Sequence, residues 1–97
     1  EDEYYCIHSI YDREEQGPTV LSRFSAKNDF DAMKKVNANC GYGAYPDNSE
    51  ASLEQLVSDF DSSNGDGCDM VYCVQRASDG HVVYGSNQHT AVSLETW

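Results

Sequence analysis

Two strand-like runs open this chain and two close it, and between them the hydrophobic period changes from two to 3.6. That order, β-β-α-α-β-β, limits the fold more than any other feature. It predicts an α+β domain: an antiparallel four- to five-stranded sheet with two helices on one face. "YYCIHSIYD" at 4–12 is dominated by Tyr, Ile and Cys, and nothing breaks the run. "REEQGP" at 13–18 reads as a loop, with Gly-Pro as punctuation. "TVLSRFSA" at 19–26 alternates, with Val20, Ser22 and Phe24 on one side. The two runs are expected to pair as an antiparallel hairpin.

In "KNDFDAMKKVNANCG" (27–41), Phe30, Met33, Val36 or Asn37, and Cys40 recur on one helical face. Asn28 is placed to cap this helix, Asp31 favours its positive end, and Cys40-Gly41 is a stop. "SEASLEQLVSDFDSS" (49–63) places Leu53, Leu56, Val57 and Phe60 at i, i+3, i+4 and i+7. Ser52 followed by Gln55 resembles a capping box, with Ser49 as the alternative cap. A third strand is expected over 68–77 and a fourth over 81–88, joined by a tight turn at Asp79-Gly80. Residues 89–97 are either a short edge strand or a tail pinned by Trp97. The 97 residues suffice for one domain, 1–97, with one modest core.

Charge sets the function classes. Seventeen acids against six bases give a net −11. No Lys or Arg lies between Lys35 and Arg76, a stretch holding Asp47, Glu50, Glu54, Asp59, Asp61, Asp66 and Asp69. Nucleic-acid binders neutralise phosphates with the opposite sign, so direct nucleic acid or anionic membrane is not the expected partner. No apolar run approaches the ~20 residues of a membrane helix. No signal peptide is visible, and the start at Glu1 rather than Met suits a processed or trimmed product. Solubility, or adaptation to salt, would explain the acidity equally simply.

The cysteines are Cys6, Cys40, Cys68 and Cys73, with no C-x-x-C. Cys6 and Cys73 sit in apolar strand-like runs, as small buried hydrophobes do. Free thiols in a reducing, cytoplasmic setting are the first reading, and a Cys40–Cys68 disulfide the second.

Four features of the sequence bear on chemistry. "DFDSSNGDGCD" (59–69) has the acids of a calcium loop but not its register. Counted from Asp59, Asn64 stands where the loop needs Gly, and Met70 where it needs Glu. It reads instead as a turn, with Asn64-Gly65 and Asp66-Gly67 tolerating φ > 0. For zinc, Cys6, His8, Cys68, Cys73 and His81 are the candidate ligands; Cys6 and His8 share a strand face, but Cys68 and Cys73 point oppositely, and zinc ligands usually come as close pairs on turns. No metal and no cofactor is therefore expected. Cys40 near a helix C-terminus is poorly placed as a nucleophile, and no catalytic motif is present, so catalytic residues are not assigned. Lastly, seven Tyr is a high count, and Tyr42 and Tyr45 lie in a Gly/Pro loop beside the acidic helix.

The expectation is a small non-catalytic module that docks on a basic protein surface, such as that of a nucleic-acid-binding protein. Its partner-binding residues would be Asp47, Glu50, Glu54, Asp59, Asp61, Asp66, Asp69, Tyr42 and Tyr45. In size and charge, though in no motif, the chain resembles the stoichiometric anti-defence (anti-CRISPR-like) inhibitors of phages and mobile elements, some of which mimic nucleic acid. Two other classes stay open: a small Cys/His-dependent enzyme or ligand-binding domain, and an assembly subunit with incidental acidity.

Overall fold

The computed structural model describes residues 1–12, 15–40, 52–65, 69–86 and 93–96. The elements follow the expected order: β1 (Asp2–Asp12), β2 (Glu15–Ala26), α1 (Asp29–Cys40), α2 (Leu53–Ser63), β3 (Val71–Arg76) and β4 (Val82–Gly85). These four strands form one antiparallel sheet in the order β4-β3-β1-β2. A short β5 (Ser93–Thr96) runs parallel to β2 at its outer edge, Val20 opposite Ser93 and Arg23 opposite Thr96. Of the two expectations for 89–97, the edge strand is the one that forms; Trp97 lies outside the described residues.

The hairpin is longer than its sequence advertises. Pairing continues through Tyr11 with Gln16 and Asp12 with Glu15, so most of the expected 13–18 loop belongs to β2. The register shifts between Ser9 and Tyr11, where Ile10 alone opposes Gly17 and Pro18. Proline has no N–H for the ladder, and a bulge is where a strand can carry it.

The caps form as their residues predict. The Asn28 side chain accepts from the Asp31 N–H at 2.8 Å, and Asp31 reaches back to the Lys27 N–H at 3.0 Å. Ser52 caps α2, its hydroxyl accepting from the Gln55 N–H at 3.1 Å. Gln55 does not complete a box; its side-chain amide donates to Asp59 at 2.9 Å. At the turn between β3 and β4, Gly80 takes φ +73° and Asp79 accepts from the His81 N–H.

Alternation puts Tyr4, Cys6, Phe24, Val74 and Tyr84 on the helix-covered face of the sheet. Met33, Val36 and Cys40 of α1 and Leu56 and Phe60 of α2 close over them. Tyr4 stacks on Phe24 with ring centroids 5.8 Å apart, and Phe60 meets Tyr84 edge-on at 5.3 Å. Phe30, expected on the buried face of α1, is only half-buried and lies 5.9 Å from the Lys34 ammonium. No helix among the described residues is long and apolar enough to cross a membrane.

Candidate functional site

The expected partner-binding residues divide into three groups. Glu54 and Asp61 are both exposed on α2. They are seven residues apart, hence two turns and about 10 Å along one stripe of the helix. Ser58 completes the stripe between them, also exposed. Asp59 sits half-buried on the other flank, held by Gln55. Among the described residues, α2 carries no Lys or Arg and no cation pairs with Glu54 or Asp61. Tyr42, Tyr45, Asp47, Glu50 and Asp66 lie outside the described residues.

Asp61 is tied into the fold as well as displayed by it. One of its oxygens accepts from the Tyr84 hydroxyl at 2.6 Å, and that hydroxyl accepts from the Asn64 amide at 2.9 Å. The same amide group both donates to the Val71 carbonyl and accepts from the Val71 N–H, each at 2.9 Å. Asn64 thus pairs with β3 as a backbone unit would. It keeps an extended backbone at φ −60° and leaves the positive φ of the turn to Gly65, at +88°. Within the 59–69 stretch, Asp59–Ser63 finish α2 and Asn64-Gly65 make the turn that follows, through the Asn64 side chain rather than its backbone tolerance; Asp66, Gly67 and Cys68 lie outside the described residues.

Asp69 stands apart from the α2 stripe. It lies just before β3, three-quarters buried, with Oδ2 3.2 Å from Nδ1 of His8. His8 is buried on the helix-covered face of β1, and its Nε2 is 2.7 Å from the Ser22 hydroxyl on β2. Nδ1 also lies 3.2 Å from the Ser9 carbonyl oxygen. Cys40, at the last position of α1, brings its sulfur into the same place: donor atoms of His8, Cys40 and Asp69 lie within 4.8 Å of one another. The thiol of Cys6 lies against that of Cys40; burial first, and Cys40 second, push its pKa well above the usual thiol range. Cys6, Cys40 and Cys73 are free thiols, and Cys73 is turned to the opposite face of the sheet.

Ser22, His8 and Asp69 stand in the order of a hydrolase triad, with a hydroxyl on Nε2 and a carboxylate on Nδ1. Ser22 is fully buried, so its hydroxyl presents no surface to a substrate carbonyl. A groove beside the start of α1 is lined by Tyr4, Lys27, Asp29, Phe30, Leu53 and Arg76. Tyr4 and Arg76 there are both spent on Asp29, at 2.7 and 3.0 Å.

The buried cluster was only partly legible. The shared face of Cys6 and His8 follows from period two, and Cys40 falls on the apolar face of its helix by period 3.6. Bringing Asp69 beneath them depends on the β1–β3 register, which no local pattern specifies. Comparison of the chain with protein-family models, with curated proteins and with solved structures found no match.

Proposed function

We propose that the protein is a non-catalytic binding module that docks an acidic surface on a basic protein, of the kind that handles nucleic acid. The observation that carries this reading is the outward stripe of α2. It presents Glu54, Ser58 and Asp61 with no cation on the helix to neutralise them. The net charge of −11 gives that stripe a long-range field of one sign. Such a field speeds encounter with a basic surface and is weakened by salt. Asp59 contributes from the flank, and Asp47, Glu50 and Asp66 belong to the same uninterrupted acidic stretch of sequence. Blocking a nucleic-acid groove in this way would make the protein a stoichiometric inhibitor.

The test is retention of partners on immobilised protein at low salt, eluted with a salt gradient, beside the Glu50→Lys/Glu54→Lys variant. The expected result is a basic, nucleic-acid-handling protein that leaves at moderate salt and leaves earlier from the variant. Circular dichroism should show the variant folded as the parent. If no basic protein is retained, or both proteins release it at the same salt, the acidic surface is not the docking surface.

A further inference from the structure

The buried cluster carries a reading that is independent of the acidic surface. Three parts of the chain that are distant in sequence bring one donor each to within 4.8 Å of the others: β1 gives His8, the end of α1 gives Cys40, and the segment before β3 gives Asp69. Oδ2 of Asp69 and the Ser9 carbonyl oxygen each lie 3.2 Å from Nδ1 of His8. A carboxylate and a carbonyl are acceptors only, so something positive has to lie between them and the ring. A proton on Nδ1 is one solution. A cation is the other, and the sulfur of Cys40 within 4.8 Å is a donor that a proton-centred network does not need.

We infer that His8, Cys40 and Asp69 form a binding site for one divalent cation of the zinc class. Imidazole, thiolate and carboxylate are the donor types such an ion takes, at bonds of about 2.0–2.3 Å. Tetrahedral bonds of that length set neighbouring donors about 3.3–3.6 Å apart. The His8–Asp69 separation of 3.2 Å is just short of that range. With all the donors within 4.8 Å, the sulfur has to close by little more than about 1 Å. Charge balances too. A neutral imidazole, one thiolate and one carboxylate around a divalent ion sum to zero, which a buried position tolerates. On binding, Cys40 gives up its thiol proton to solvent, so each ion taken up releases one proton. Ser22 serves as the outer partner: with the ring proton on Nε2, that N–H donates to the Ser22 oxygen and leaves the Nδ1 lone pair aimed at the ion.

The probe is cobalt(II), titrated into the full chain after chelator dialysis and under reducing conditions. The expected result is one equivalent bound, with thiolate-to-cobalt charge-transfer absorbance and the intense visible bands of a tetrahedral ion. Zinc should displace it. Cys40→Ala should abolish the charge-transfer band, whereas Cys73→Ala, which alters a thiol on the other face, should leave it intact. Asp69→Asn is expected to weaken binding at least tenfold, and Ser22→Ala to weaken it by about ten- to a hundredfold, as loss of an outer partner does. Absence of charge-transfer absorbance at one equivalent of cobalt in the parent protein would overturn the proposal, whatever the variants do. So would a band that survives Cys40→Ala in a folded protein.

Discussion

Tyr84 joins α2 to the sheet through its hydroxyl, which donates to Asp61 and accepts from Asn64. Burial first, and the neighbouring carboxylate second, push its pKa up to about 12. The unfolded chain holds the same proton with a pKa of about 10. Since the fold favours the protonated phenol, the stabilisation is complete below about pH 10 and is lost as pH rises through the folded value. The parent protein should therefore lose stability steeply between about pH 10 and 12. Tyr84→Phe should be less stable at neutral pH by about 1–3 kcal/mol, because Asp61 and Asn64 lose their shared partner. It should also show a flatter alkaline limb. Urea unfolding across the alkaline range measures both; an unchanged alkaline slope in the variant would assign it to another group. None of this network was legible beforehand. Tyr84 reads as one more strand tyrosine, and Asn64 as a turn residue, until β4 is laid beside β3 under the end of α2.

Local signals were legible among the elements where neighbouring residues alone settle the geometry. Ser52 and Asn28 cap their helices because a hydroxyl or amide oxygen three residues before an N–H needs nothing else to find it. Ser52→Ala is accordingly expected to cost about 1 kcal/mol. The loss should be read as a lowered unfolding midpoint at unchanged denaturant slope. A variant as stable as the parent would mean that α2 is held by Leu56 and Phe60 alone. Signals failed where two elements decide together. Gly-Pro at 17–18 punctuates a loop in most contexts, yet here β1 continues opposite and the pair becomes a bulge. The parallel placement of β5 likewise depends on a free edge of β2 rather than on anything within 93–96. Gly85 is a third case. Its φ is +78°, and a Cβ there would run into the Tyr72 carbonyl oxygen, a constraint set by β3 and not by the glycine's own neighbours.

On the scale of the whole molecule, seventeen acids against six bases repel one another in the folded state more than in the expanded one. Screening should therefore stabilise the fold. Raising sodium chloride from low to near-molar concentration shrinks the Debye length from about 30 Å to about 3 Å. If about 1 kcal/mol of self-repulsion is removed, the thermal midpoint should rise by roughly 4–8 °C. A midpoint that falls with salt would mean that pairs such as Arg76–Asp29 and Arg23–Glu3 outweigh the repulsion. The same salt should weaken docking on a basic surface, so stability and association are expected to move in opposite directions along one titration.

The position of β1 between β3 and β2 bears on how the chain acquires its shape. The strand made first becomes the centre of the sheet. Its partner on one side follows at once as a hairpin, but its partner on the other side, Val71–Arg76, comes only after both helices have been synthesised. Until then a finished hairpin presents one long unpaired edge to its surroundings, carrying Cys6, Ile7 and His8. Closing that edge pairs residues almost seventy positions apart, the kind of contact that slows folding. During synthesis the two helices, which leave the ribosome in the meantime, are what can cover the apolar face of the hairpin until β3 arrives.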